Sequence, residues 1–173
     1  MLTVVVLSLA VAGVARADEA GGLMWTAPAE WTAQGERPMR AATYSIPAAK
    51  GDTEGAELGV FYFGEGKGGG VDANVKRWVS QFQKPDGSSV EKDAKTKKET
   101  IAGFQVTMVD VKGTYAGGGP MMGPATPKPG FRLIGAIVEG PGGAVFFKLT
   151  GPEKTVSGAE KTFRKMLEGM KKK

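Results

Sequence analysis

A chain of 173 residues carries 23 Lys and Arg against 18 Asp and Glu, a formal charge of +5, and contains neither cysteine nor histidine. The missing cysteine excludes disulfides, thiolate nucleophiles, thiolate metal sites and a lipidated cysteine. The missing histidine excludes Ser-His-Asp and Cys-His catalysis and the zinc hydrolases, and a small charge surplus without a cluster of Lys/Arg and interleaved aromatics speaks against nucleic acid as a partner.

Leu2 to Val14 is an apolar run, followed by Ala15-Arg16-Ala17 and then Asp18 and Glu19. An apolar stretch ending in a small-x-small site has the layout of a secretory signal peptide, although no Lys or Arg precedes it. It is too short to span a bilayer, so no stable membrane insertion is expected after cleavage. Cleavage after Ala17 is predicted, with residues 18–173 forming one domain in the periplasm or secreted. An exported chain without disulfides fits a bacterial periplasm better than a eukaryotic extracellular space. Asn74 is the only asparagine and is followed by Val-Lys, so there is no glycosylation sequon.

Met24 to Gln34 is short and aromatic, with Trp25, Pro28 and Trp31. Met39 to Ile46 alternates, placing Ala42, Tyr44 and Ile46 on one strand face, and Pro47 ends it. Gly51 to Gly55 reads as a polar turn. Leu58 to Phe63 is apolar on both faces and is predicted as a central, buried strand. Val71, Val75, Trp78, Val79 and Phe82 recur at helical spacing, which predicts a helix over 71–83 with Asp72 as N-cap. Pro85-Asp86-Gly87 turns the chain.

Lys92 to Glu99 with Thr100-Ile101 predicts an exposed edge strand whose lysines discourage edge-to-edge pairing. Ala102-Gly103 turns into a strand over 104–115. There Phe104, Val106 and Met108 share one phase and Val109 and Val111 the other, so a bulge is expected near Asp110. A Gly/Pro-rich loop over 116–130 follows. Phe131–Glu139 and Ala144–Thr150 form a hairpin across Gly140-Pro141-Gly142-Gly143. Ser157-x-x-Glu160 reads as a capping box before a helix with Ala159, Phe163, Met166, Leu167 and Met170 on one stripe. Lys171 to Lys173 would then complement its dipole. Strands and helices that do not alternate predict an α+β fold: an antiparallel sheet of about six to seven strands with two main helices, on opposite faces or on one.

Few constellations carry chemistry. Gly64-x-Gly66-x-Gly68-Gly69-Gly70, with Lys67 inside it, could cradle a phosphate at a helix start. It matches neither the P-loop nor the dinucleotide fingerprint, so a simple strand-to-helix connection is the better reading. Eight methionines raise Cu(I), but Met121-Met122 are adjacent, and Met166 and Met170 lie on an apolar helix stripe. Asp110 and Glu139 are a conceivable carboxylate pair. Ser88-Ser89 lack the nucleophile elbow and read as turn serines. The loop over 116–130 remains. Methionine on a long loop suits adaptable apolar recognition, so Met121 and Met122 are the candidate partner-binding residues; the simpler alternative is a mobile insertion.

Pro28-x-x-Trp31, the Leu58–Phe63 strand, the helix carrying Trp78, the closing strand pair and the terminal amphipathic helix together resemble PsbP-like proteins, the extrinsic photosystem II subunit P and its exported bacterial relatives. The resemblance covers nearly all of residues 18–173 and is nearest to the exported bacterial members. It implies an α-β-α sandwich and a non-enzymatic role in binding or assembly. Metal binding in that family involves histidines, which this chain lacks, so no metal or cofactor is expected. The expected function is therefore an exported binding or accessory module whose partner is a protein or a small apolar ligand. The alternative from another class is a histidine-independent enzyme using carboxylates or serine.

Overall fold

Period-two alternation in the second half of the chain produces its longest strands, and the rest of the fold is assembled on them. The computed structural model describes residues 17–117 and 126–173. In chain order these form β1 (Ala17–Ala20), β2 (Leu23–Thr26), β3 (Thr32–Ala33), β4 (Ala42–Ile46), β5 (Ala56–Tyr62), α1 (Val71–Val79), β6 (Phe82–Gln83), β7 (Lys95–Ile101), β8 (Phe104–Tyr115), β9 (Lys128–Gly140), β10 (Gly143–Pro152), α2 (Glu153–Glu168) and β11 (Lys171–Lys172). Eight strands make one sheet in the order β3-β4-β5-β10-β9-β8-β6, with β7 also paired to β8. A separate three-stranded sheet runs β1-β2-β11. The pairings are antiparallel. The fold is α+β as expected, with more strands than the six to seven foreseen.

Successive residues of β9 belong to different cores. Ile134, Ala136 and Val138 pack with Phe163, Met166 and Leu167 of α2 and with Trp25. Leu133 and Ile137 pack with Trp78 and Val79 of α1. Alternate residues of a strand point to opposite faces, so the two helices cover opposite faces of the sheet. Phe163 and Leu167 are at most 1% exposed, and burying each such side chain stabilises by about 1.5–3 kcal/mol.

Several local expectations are corrected. The pairing of β8 with β9 runs unbroken from Val106↔Val138 to Gly113↔Phe131, and its irregularity lies between Gly113 and Tyr115 rather than near Asp110. No bulge is needed at Asp110, because β8 is buried on both faces and accepts apolar residues in either phase. The first helix ends at Val79, and Phe82-Gln83 pair with Tyr115 and Thr114 instead of extending it. The stripe nevertheless converges, since Val71, Val75, Trp78, Val79 and Phe82 share one cluster.

Asp72 is not the cap; extended Gly70 occupies the N-cap without a side-chain bond. Ser157 is not a cap either, because α2 begins at Glu153 and the Ser157 hydroxyl donates to the Glu153 carbonyl at 2.7 Å. The first turn of α2 is satisfied from a distant loop, where the Asp52 carboxylate accepts from the Thr155 amide at 2.9 Å and from its hydroxyl at 2.5 Å. Lys171 and Lys172 leave the helix axis and pair with β2 as β11. The loop expected over 116–130 is shorter, because Lys128 to Gly130 already belong to β9.

Other expectations hold. Strand β7 is an edge strand rich in exposed lysines, paired among the described residues only to β8. Ala102 and Gly103 have φ of 51° and 82°, as a two-residue turn of the I′ class requires.

Candidate functional site

Helix α1 is only nine residues long, so it cannot cover its whole side of the sheet. Trp78 lies over Gly135 of β9, where a Cβ would come within 2.2 Å of the indole ring. Beyond that point, the half of the face built by β4, β5 and β10 is left to other side chains. Register places Thr43 beside Gly59 and Lys148, and Ser45 beside Glu57 and Thr150. Their neighbours Leu58, Val60, Phe147 and Leu149 point the other way, into the α2 core.

Charge lines this open half-face. Glu57 accepts from Arg40 at 2.5 Å and from Arg37 at 2.9 Å. The Arg40 guanidinium also lies 5.2 Å over the Phe61 ring. The Lys148 amine donates to the Gln81 side-chain oxygen at 2.6 Å and stands 5.4 Å from the centre of the Tyr115 ring. Burial, with repulsion from Arg40 and a smaller one from Arg77, brings its pKa down to about 8, while Glu57 opposes the shift.

At one end the face deepens into a groove of about 800 Å³ lined by Ser45, Pro47, Glu57, Tyr115, Lys128, Phe131 and Thr150. Tyr115 and Phe131 stack at 6.0 Å with their planes 8° apart. Lys128 sits 5.3 Å over Phe131 and pairs with Glu54 at 2.7 Å. Burial raises the Tyr115 pKa, so the phenol keeps its proton at neutral pH. The Thr150 hydroxyl is shielded from solvent and has no hydrogen-bond partner among the described residues. Gly117 and Thr126, which flank residues 118–125, also line the groove.

Lys148 makes stability depend on pH. Its folded pKa, about 8, lies below the ordinary 10.5, so between those values the unfolded chain binds more protons. Stability should therefore rise as pH increases from 8 to 10.5. Relative to Lys148→Met, the native protein should gain on the order of 1–2 kcal/mol over that window after allowance for solvent screening. Paired thermal melts at stepped pH read this out. A constant difference between the two proteins would show that the amine does not feel its surroundings.

A second groove, of about 520 Å³, lies between β7 and α2 over Met108, Ile134 and Phe163. Its rim is cross-linked by ion pairs, Arg164–Glu99 at 2.7 Å and Arg132–Glu160 at 2.8 Å. That makes it a seam between helix and sheet more than an opening.

The residues singled out from sequence fare differently. Met121 and Met122 lie outside the described residues. Asp110 and Glu139 do not come together. Asp110 is opposite Ile134 on the α2 side, whereas Glu139 is five residues farther along β9 on the other face, roughly 17 Å away. Asp110 instead binds Arg132 through a two-pronged contact of 2.9 and 2.8 Å. Ser88 donates to Asp86 at 2.7 Å and the Ser89 hydroxyl accepts from the Glu91 amide at 3.1 Å, as turn serines do. Met166 and Met170 are buried in the core. Among the described residues, no three His, Cys, Asp or Glu side chains group as metal ligands.

The glycine run is a connection whose carbonyls face inward. The Asn74 amide donates to the carbonyls of Gly68, Gly69 and Gly70 at 2.8, 3.4 and 3.0 Å. A phosphate cradle needs outward N–H groups, and Asp72 at the same helix start would repel the anion. Asn74, Arg132 and Lys148 were the residues that pattern reading passed over. The signal was available for the last two, since each is a lone cation inside an apolar strand, in Phe131-Arg132-Leu133-Ile134 and Phe146-Phe147-Lys148-Leu149.

No protein-family model matches the chain, and no curated protein matches it in sequence. Among solved structures it is similar to cyanobacterial PsbP (CyanoP) from Synechocystis sp. PCC 6803, with a TM-score of 0.55 at 10% identity over 98% of each chain. It is also similar to PA94 of Pseudomonas aeruginosa, a protein of unknown function, with a TM-score of 0.46 at 13% identity over 89% of this chain and 94% of that one. The chain thus has the PsbP-like fold that its sequence resembles, and at such identity the likeness is one of fold. Among the described residues no helix is long and apolar enough to cross a membrane.

Proposed function

We propose that this chain is an exported, non-enzymatic binding or accessory module, and that the open half-face beside α1, with its aromatic groove, is its recognition surface. The observation that carries this reading is the groove itself. It combines a stacked aromatic pair, an ion-paired lysine and a shielded hydroxyl with no partner among the described residues, on the part of the sheet face that α1 does not reach. Carboxylate catalysis is less well supported, because Asp110 and Glu139 lie on opposite faces. Gly117 and Thr126, the described residues on either side of Met121 and Met122 in the chain, line the groove. These methionines are proposed to add adaptable apolar contact to the partner, a protein or a small apolar ligand. Export follows from the apolar run and Ala15-Arg16-Ala17. The PsbP-like fold supports an accessory role by analogy.

Three results are expected. The intact mass of the exported protein should correspond to a chain starting at Asp18, and a mature form retaining Met1 would overturn the localisation. A photo-crosslinking residue at Ser45, in the groove, should capture a partner that the same probe at exposed Lys165 of α2 does not. Met121→Ser/Met122→Ser should leave stability within about 0.5 kcal/mol and weaken that crosslink. Equal crosslinking from both positions would remove the groove as the recognition surface. Unchanged crosslinking in the double variant would remove the methionines from it, and a large loss of stability would make them structural.

A further inference from the structure

The charges on the open half-face do not balance. Glu57 is already shared by Arg37 and Arg40. Among the described residues the Lys148 amine donates to neutral groups, the Gln81 side-chain oxygen at 2.6 Å and the Tyr115 hydroxyl at 3.5 Å, and Arg77 donates to the neutral Asn74 amide at 2.6 Å. Arg40 and Arg77 both repel Lys148, and Glu57 is the carboxylate that acts on it. Lys148 thus feels two guanidinium groups and one carboxylate on a partly shielded surface. A bound anion would relieve that repulsion.

The space beside the amine has a direction. Gly135 and Gly59 stand opposite Lys148 on the two neighbouring strands. Trp78 fills the room over Gly135. Over Gly59 a Cβ would meet the edge of the Phe61 ring at 2.9 Å and the Arg40 Nη1 at 3.4 Å. The Arg40 guanidinium, stacked on Phe61, thus stands over the strand next to Lys148 and repels its amine. Two residues along β10 on the same face, the Thr150 hydroxyl lacks a partner among the described residues, and beyond it stands the stacked Tyr115–Phe131 pair.

Taking the open half-face as the binding surface, we propose that its ligand carries a carboxylate on an aromatic or apolar body. The carboxylate sits between Arg40 and Lys148, Thr150 donates to it from the groove, and the body lies against Tyr115 and Phe131. A guanidinium beside an ammonium suits a carboxylate, which accepts charge-assisted hydrogen bonds from both. The aromatic wall adds contact that an inorganic anion cannot use.

The test is a titration of the isotope-labelled exported protein by two-dimensional NMR with four probes: benzoate, benzamide, benzylamine and inorganic phosphate. Benzoate should shift the amides of Gly59, Lys148 and Thr150 and bind about tenfold more tightly than benzamide, with benzylamine weaker still. Lys148→Gln and Arg40→Gln should each lower benzoate affinity about tenfold. If Lys148→Gln fails to fold, Arg40→Gln, just outside β4, carries the comparison alone. Equal binding of benzoate and benzamide in the groove would overturn the carboxylate while leaving the surface in place. Phosphate binding as tightly as benzoate would overturn the aromatic body. If no aromatic probe moves these amides, the recognition surface itself falls.

Discussion

Trp78→Ala should destabilise the protein by about 3–5 kcal/mol, the range of buried aromatic truncations. The indole is 6% exposed and meets Phe146 edge-on at 6.4 Å. Beneath it is Gly135, which has no side chain that could relax into the space. The cavity would therefore stay open, and the short helix α1 would lose its main anchor to the sheet. Equilibrium unfolding in urea measures the loss. A change within error would mean that the stripe on α1 faces something other than the sheet. The converse change supplies a cross-check. Gly135→Ala pushes a methyl into the indole and should cost about 1–3 kcal/mol. Combined with Trp78→Ala, it should cost less than the sum, because the methyl then fills part of the hole.

Arg132→Met is expected to cost about 3 kcal/mol, by stranding its partners. The Arg132 side chain is 8% exposed and joins three elements. It grips Asp110 of β8 with two bonds, and it donates to Ser157 at 2.9 Å and Glu160 at 2.8 Å on α2. These contacts raise its pKa further, so the guanidinium stays charged at any ordinary pH. Removing it takes from Asp110 the two charge-assisted bonds that hold it, with exposed Lys95 across on β7 as a poorer substitute. Arg132→Met/Asp110→Leu should recover most of the loss, since a pair replaced by apolar side chains leaves no stranded charge. The effect should also resist salt better than an exposed pair such as Lys112–Glu153. Single and double variants unfolded at low and high salt decide this. A loss below about 0.5 kcal/mol would show that apolar packing alone holds α2 to the sheet.

Arg132 and Asp110 also show where reading a sequence stops. As a sequence feature, Asp110 looked like a bulge or one half of a catalytic pair. Its true role depends on Arg132, which lies 22 residues away along the chain and diagonally across the β8–β9 ladder. Ser157 and Glu160 likewise carried the spacing of a capping box, yet both serve Arg132 from inside α2. Local spacing reports which short-range bonds are possible. It does not report that a distant cation or Asp52 has claimed the same atoms.

The sequence by itself determined the α+β class, the edge character of the lysine-rich strand, the two-residue turn at Ala102-Gly103, and the two apolar stripes that became the cores. These follow from periodicity, turn chemistry and apolar burial, which are properties of neighbouring residues. Tertiary structure alone decided that β8 is buried on both faces, that α1 stops at Val79, and that Asp52 caps α2. It also decided that Arg40, Glu57, Lys148 and Thr150 share one half of the sheet face beyond the reach of α1. That meeting is set by strand order and register between segments far apart in the chain. A one-residue slip would turn each side chain to the other face, so the proposed binding surface exists only once β4, β5 and β10 are paired.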